Sequence, residues 1–199
     1  MVQRFDELDA ERLRELFGEL DAELADRGGE PVTVLVAGGA ALAFKWSDRR
    51  TYDVDLIGGE FPTDFRRAIA AVAKRNNLEW NWVNDGGTVG NAALEPRPRP
   101  LYVGENFAAY SPDERYLLAM KLFASRQRDL DDAIRLSAET GVTTAAAMRQ
   151  LIDDAYYHNV IPPEIEDFIG DVALGVAQHR APRIGHDPTD RHRGGLGLA

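Results

Sequence analysis

The chain has 199 residues, 44% of them hydrophobic, which is enough for one compact unit but short for two independent domains. A net charge of −10 argues against a protein that coats nucleic acid by bulk attraction, and the absence of cysteine excludes disulfides and thiolate metal sites. No apolar run approaches the ~18 residues of a membrane span, and residues 1–7 lack the apolar core of a signal peptide, so we expect a cytoplasmic protein without membrane contact.

The first part of the chain predicts a helix, a strand and a second helix. Apolar residues at helical spacing predict an amphipathic helix over about residues 6–25. Residues 31–36 are β-branched and nearly continuous, which favours a buried strand. The strand stops at Gly38 and Gly39, and good helix formers follow over residues 40–46.

A second strand is predicted over residues 52–57. Side chains alternate between the faces of a strand, so this one would place apolar and acidic residues on opposite sides, with Tyr52, Val54 and Leu56 on one and Asp53 and Asp55 on the other.

Further elements follow this strand. Residues 63–76 predict a helix, and residues 78–83 predict a third strand on which Trp80 and Trp82 would share a face, available either for core packing or for stacking on a base. Glycines and prolines predict a loop over residues 84–100, before short strands at 101–103 and 106–110.

The second half of the sequence predicts helices. Ser111, Pro112 and Glu114 form a capping box ahead of the apolar run that begins at Tyr116. Three more helical stretches follow, at about residues 130–139, 144–157 and 163–177. We therefore predict an α/β (α+β) protein: a small mixed sheet flanked by helices over residues 1–110, a helical lobe over 111–179, and a flexible tail over 180–199.

Asp53 and Asp55 are the first candidates for chemistry. Two carboxylates on one strand face, ~4 Å apart, repel by roughly 4 kcal/mol at an effective dielectric of 20, and a cation relieves that repulsion. Mg²⁺ suits the pair because it takes a few carboxylate oxygens and completes its shell with water and phosphate. The alternative is that both aspartates lie on the solvent face of an edge strand.

Gly38 and Gly39 are the second candidates. Glycines between a strand and a helix let backbone N–H groups approach a phosphate, and a helix N-terminus favours anions. The alternative is an ordinary tight turn, since no Gly-Lys-Ser/Thr sequence follows as it does in a P-loop.

A third polar block lies in the helical half. If one helix runs through it, Lys121, Ser125, Asp129 and Asp132 share a face. Asp129 or Asp132 would then orient Lys121 or nearby arginines, or act near an acceptor hydroxyl. The alternatives are a solvated lysine and an Arg–Asp pair that only ties two helices together.

These three blocks occur together in a known family. Three segments resemble the nucleotidyltransferase-fold toxins of the AbiEii and MenT kind. They run from Gly38 to Phe44, from Arg50 to Leu56, and over Met120-Lys121-Leu122-Phe123-Ala124-Ser125-Arg126-Gln127-Arg128-Asp129-Leu130-Asp131-Asp132. In that family a Gly-Gly-x-Ala-Leu turn precedes an Arg-x-Ser/Thr-x-Asp-x-Asp strand. A later helix carries Lys-Leu-x-Ala-x-Arg, followed by Arg/Lys-Asp-x-x-Asp. The resemblance covers around half of the chain.

The resemblance implies a nucleotidyltransferase fold, with the helical lobe closing over a nucleotide cleft. It implies transfer of a nucleoside monophosphate from a nucleoside triphosphate to a tRNA 3′ end, which blocks translation, and a cognate antitoxin protein that neutralises the toxin. Asp53 and Asp55 would hold Mg²⁺ and act in catalysis with Lys121, Asp129 and Asp132. The nucleotide would be bound by Gly38, Gly39, Thr51, Lys121, Arg126 and Arg128.

The lack of an obvious third metal-site carboxylate and the acidic net charge leave other functions open. Many such folds have a third metal-site carboxylate, for which Asp85 is the candidate, although an Asn-Asp turn in a loop is the more common reason for such a residue. The acceptor could instead be a hydroxyl of a protein or small molecule, which the acidic charge favours, or the chain could be a catalytically silent module that binds a partner protein. The four histidines form no His-Glu-x-x-His site.

Overall fold

The structure is a computed structural model that describes residues 5–58, 61–87, 97–156 and 161–180. Over these ranges it is a mixed α/β protein with a small mixed sheet and seven α-helices, which confirms the predicted class. The helices are α1 (Ala10–Arg27), α2 (Gly38–Lys45), α3 (Thr63–Asn76), α4 (Glu114–Ala124), α5 (Leu130–Thr140), α6 (Ala145–Tyr156) and α7 (Pro163–Arg180). None of them is both long and apolar enough to cross a membrane.

The strands form two small groups that meet near the start of α2. They are β1 (Val32–Leu35), β2 (Val54–Asp55), β3 (Val83–Asn84), β4 (Arg99–Val103) and β5 (Phe107–Ser111). β5 lies between β1, which is parallel to it, and β4, which is antiparallel, while β2 and β3 form a parallel pair. Ala37 N donates to Asp55 O at 2.8 Å, so β2 is hydrogen-bonded to the residue that directly precedes α2.

Helix α1 begins four residues later than the sequence predicts. Asp9 caps it by accepting from Arg12 N at 2.9 Å, and the left-handed Gly28 ends it. Leu8, which precedes the cap residue Asp9, is not helical but pairs with Thr51. Leu8 N donates to Thr51 O at 2.7 Å, and Thr51 N donates to Leu8 O at 3.0 Å. The chain ahead of α1 is therefore fixed to the segment that leads into β2.

One continuous apolar core joins the strands to all seven helices. It includes Phe17 of α1, Leu42 of α2, Val72 of α3, Leu118 of α4 and Ile169 of α7. Burial of such side chains is the main term that stabilises a fold of this size. The residue-110 boundary between the two predicted lobes stays a prediction.

Two aromatic positions correct the predicted third strand. Trp82 is 1% exposed, and its indole N–H donates to Ile69 O at 3.2 Å, so it belongs to the core. Trp80 is 82% exposed in the turn ahead of β3. The two rings do not share a face, because regular pairing covers only Val83 and Asn84.

The remaining differences lie at element ends. The N-cap of α4 is Asp113, which accepts from Tyr116 N at 3.0 Å, and not Ser111, which is paired in β5. Tyr52 is exposed although Val54 and Leu56 are buried, because it precedes the short strand β2. Helix α7 continues to Arg180, and the predicted flexible tail beyond it lies outside the described residues, as do residues 88–96 of the predicted loop.

Candidate functional site

The two aspartates of the β2 segment differ in their surroundings. Asp53 is exposed, and Thr51 Oγ1 donates to its Oδ1 at 3.2 Å and to its backbone oxygen at 3.1 Å. Asp55 is half-buried within β2. Burial raises the pKa of the Asp55 carboxyl, and the neighbouring charge of Asp53 raises it further.

Three groups oppose that shift. A hydrogen bond from Asn84, and at longer range the charges of Arg126 and Arg128, act to lower the pKa of Asp55, yet the net shift is upward. The strand therefore presents two carboxylates whose mutual repulsion the surrounding protein does not fully relieve. A cation bound between them would relieve it.

The glycine turn lies against these carboxylates. Gly38 has φ +61°, and a Cβ built there would collide with Asp55 Oδ2. A Cβ on Gly39 would lie 2.7 Å from Thr51 Oγ1. The start of α2 has no side-chain cap at Ala37 and no acidic residue in its first turn. Its partial positive charge and its first N–H groups are thus placed beside Asp55.

A second glycine pair, Gly86 and Gly87, follows β3 and lies against β2 at Asp55 and Leu56. Asn84 is in register with Asp55, and its Oδ1 accepts from Gly86 N at 2.6 Å. A Cβ on Gly86 would lie 2.6 Å from Asp55 Oδ1, and a Cβ on Gly87 would lie 2.8 Å from Leu56 O. The sequence analysis missed Asn84, which ends β3 directly before the predicted candidate Asp85.

Asp85, the predicted third carboxylate, is exposed and does not line the cleft described below. Within the described ranges, no three His, Asp or Glu side chains are grouped to hold a metal. A metal ion here would have Asp53 and Asp55 as its carboxylate ligands, which is a set that Mg²⁺ accepts when a substrate phosphate completes it.

Lys121 lies across from the strand and is 7% exposed. Its Nζ is 2.7 Å from Asp129 Oδ1 and 3.0 Å from Asp132 Oδ2. The predicted single helix through these residues is wrong, because α4 ends at Ala124 and Ser125 adopts a left-handed conformation with φ +44°. A short 3₁₀ helix, Gln127–Asp129, then leads into α5 and brings both aspartates back to the lysine.

Arg49 completes this cluster, and the sequence analysis assigned it no role. Its Nη2 is 3.1 Å from Asp132 Oδ2, and its Nη1 donates to Arg50 O at 2.6 Å. Arg49, Lys121, Asp129 and Asp132 thus form a connected set of two cations and two anions. The sequence signal was its position two residues before Thr51, which is where the Arg-x-Ser/Thr-x-Asp-x-Asp motif has its arginine.

Arg126 and Arg128 are exposed on the connection between α4 and α5. Neither forms an ion pair with any carboxylate in the part of the chain that the structure describes. Because both act on Asp55 electrostatically, they are placed to attract an anion bound near β2.

These groups border a cleft of about 910 Å³. Nine of the ten predicted site residues line it: Gly38, Gly39, Thr51, Asp53, Asp55, Lys121, Arg126, Arg128 and Asp129. Asp132, the tenth, does not line it but contacts Lys121. Apolar side chains of α4 form another part of the wall, and the exposed ring of Tyr52 lies at the edge with its hydroxyl donating to Glu7 Oε1 at 2.9 Å.

No protein-family model matches the chain, and no curated protein or solved structure matches it.

Proposed function

We propose that the protein is a Mg²⁺-dependent nucleotidyltransferase, which transfers a nucleoside monophosphate from a nucleoside triphosphate to an acceptor hydroxyl. The observation that carries this proposal is the contact between the glycine turn and Asp55, because it joins a helix N-terminus suited to phosphate with a carboxylate pair suited to a metal. Neither feature would suffice alone.

The carboxylates fit Mg²⁺ in number and in electrostatics. Asp53 and Asp55 supply two anionic groups, and the raised pKa of Asp55 marks a site where added positive charge is favourable. Mg²⁺ bound there would neutralise charge on the transferred phosphoryl group.

The remaining groups bind and orient the triphosphate. The first N–H groups of α2 would donate to phosphate oxygens, while Arg126 and Arg128, which also line the cleft, would supply positive charge. Lys121 supplies a fixed charge whose direction Asp129 and Asp132 restrict. The apolar wall of α4, with Leu117 and Met120, offers a surface for the base.

For the acceptor we propose a tRNA 3′ end, as the family resemblance implies, with an antitoxin protein as the neutralising partner. Arg126 and Arg128 support a polynucleotide, because both guanidinium groups are exposed and lack a carboxylate partner among the described residues. A hydroxyl of a protein or small molecule is the second candidate, favoured by the net charge of −10.

Incubation with each α-labelled nucleoside triphosphate, Mg²⁺ and total tRNA tests the proposal. We expect label on tRNA, lost with a chelator and lost in the double variant Asp53→Ala, Asp55→Ala. The matched control is Asp153→Ala, Asp154→Ala, which removes two exposed carboxylates from α6 and should retain transfer. Transfer that survives loss of Asp53 and Asp55 would contradict the mechanism.

The other functions give different results. Label on protein or on a small molecule, but not on tRNA, would identify the second kind of acceptor. A catalytically silent module is the third candidate, supported by the exposed position of Asp85 outside the cleft. Calorimetry that detects no Mg²⁺-dependent nucleotide binding would favour that module.

A further inference from the structure

We infer that Arg49 is a positioning residue, which keeps Lys121 directed at the triphosphate by neutralising Asp132. This inference rests on the proposed function. It assigns a role to a side chain that borders the cleft and contacts the lysine only through an aspartate.

The contacts place Arg49 and Lys121 on the same oxygen. Asp132 Oδ2 is 3.1 Å from Arg49 Nη2 and 3.0 Å from Lys121 Nζ, so one carboxylate oxygen is shared by two cations. The other end of the guanidinium is fixed because Nη1 donates to Arg50 O at 2.6 Å. A Cβ on Gly39 would lie 3.6 Å from Arg49 Nη2, so the guanidinium group of Arg49 lies between the glycine turn and Asp132 of α5.

The charge balance explains why a second cation is needed. Lys121 alone would face Asp129 and Asp132, which would leave an excess negative charge beside the bound phosphates. Arg49 removes that excess by pairing with Asp132. With Asp132 already paired, Lys121 is held less tightly by its own aspartates and keeps more of its attraction for phosphate.

One atom argues against a purely structural role. Arg49 Nε is buried and has no hydrogen-bond partner within the described part of the chain. An arginine selected only to stabilise the fold would be expected to satisfy its buried donors, because an unpaired one is costly. The side chain instead satisfies the two contacts that reach Arg50 and Asp132.

Four variants test this role through binding and kinetics: Arg49→Met, Arg49→Lys, the double variant Arg49→Met with Asp132→Asn, and Arg149→Met as control. Arg149 forms a comparable ion pair, 2.6 Å from Glu166, on helices α6 and α7. Nucleotide affinity is measured by calorimetry with Mg²⁺ and the triphosphate that the wild type transfers, and KM and kcat are measured separately. Thermal unfolding verifies that each variant is folded.

We expect Arg49→Met to weaken nucleotide binding about tenfold and to raise KM more than it lowers kcat. Arg49→Lys should restore affinity to within about threefold of wild type, because the charge is kept. The double variant should also regain most of the loss, since Lys121 then faces Asp129 alone. Arg149→Met should bind as wild type does.

Two results would overturn the inference. Binding by Arg49→Met that equals the Arg149→Met control would remove any role at the cleft, and a double variant as weak as Arg49→Met would show that charge balance at Asp132 is not the cause. If Arg49→Met does not fold, Arg49→Gln replaces it in both comparisons, because glutamine also lacks the positive charge while keeping a polar side chain. A wild type that binds no triphosphate would defeat the proposed function as well, whereas normal wild-type binding with an unaffected Arg49→Met defeats this inference alone.

Discussion

On the helix side of the cleft, formed by Lys121, Asp129, Asp132 and Arg49, two anions meet two cations within 3.1 Å. On the strand side, formed by Asp53, Asp55, Gly38 and Asn84, the two carboxylates form no ion pair with any described residue, and burial raises the pKa of one of them. The helix side is thus balanced by the chain itself. The strand side reaches balance only when a cation from solution binds.

This difference separates what each side contributes to the free energy of unfolding. Removing one member of a buried, balanced set leaves an uncompensated charge and destabilises the protein. Removing one of two repelling carboxylates relieves repulsion and does not. Substitutions in the charged cluster of the helix side should therefore lower stability and activity together, and substitutions of the two carboxylates on the strand side should lower activity without a loss of stability.

The largest effect is expected for Lys121→Met. It leaves Asp132 paired with Arg49 and removes the lysine that pairs with Asp129, and we expect a loss of about 3 kcal/mol in the free energy of unfolding. For a chain of this size that lowers Tm by about 6 to 12 °C, measured by calorimetry or circular dichroism. Lys74→Met, on the exposed face of α3, is the control and should shift Tm by less than about 2 °C. Equal stability of the two variants would contradict the balanced helix side.

An intermediate effect is expected for Gly38→Ala. The change combines strain at φ +61° with a collision between the new methyl group and Asp55, and we expect a loss of about 2 kcal/mol. Gly28→Ala is the matched control, because Gly28 has φ +62° but nothing within 4 Å of its Cβ position. It should lose only about 1 kcal/mol and keep the proposed transfer activity in full, which Gly38→Ala should not. Identical losses would mean that the collision with Asp55 has no effect.

The smallest effect, and one of opposite sign, is expected for Asp55→Asn. Because burial and the charge of Asp53 raise the folded-state pKa of Asp55 above its ordinary value of 3.8, the wild type loses stability as pH rises from that value through the folded-state pKa. At pH 7 without Mg²⁺ the asparagine variant should be more stable by about 1 kcal/mol, or ~2 to 4 °C in Tm. The gain should disappear towards pH 3.

Mg²⁺ extends the same measurement. Added Mg²⁺ should raise the Tm of the wild type but not of Asp55→Asn, because only the wild type has both carboxylates. Asp167→Asn, an exposed substitution on α7, serves as the control and should respond to Mg²⁺ as the wild type does. A wild-type Tm that is insensitive to Mg²⁺ would argue that the strand side binds no metal.

Local sequence predicts the elements well where hydrophobic spacing alone decides. Helix α3 has the predicted bounds, 63–76, because five buried residues at helical spacing define it: Phe65, Ala68, Ile69, Val72 and Ala73. Tertiary pairing decides the other cases. Ser111 is a good N-cap by type, but its pairing with Arg99 in the sheet moves the cap to Asp113.

The sequence indicated which residues border the cleft better than it indicated how the chain brings them together. The expected contact of Lys121 with Asp129 and Asp132 is present, yet the path differs, because Ser125 adopts a left-handed turn that residue type alone did not reveal. Asn84 in place of Asp85 reflects strand register, which depends on the partner strand β2. Arg49 was missed because its partner Asp132 is distant in sequence.

The pairing of Leu8 with Thr51 gives the cleft a remote reporter. Both backbone amides are donors in that pairing, so neither can exchange its hydrogen with solvent unless the two segments separate. A nucleotide that holds Asp53 and Asp55 in place would make that separation rarer. Protection of the buried Leu8 amide against hydrogen exchange should therefore increase when a ligand occupies the cleft. Leu8 belongs to the segment ahead of α1 and does not itself line the cleft.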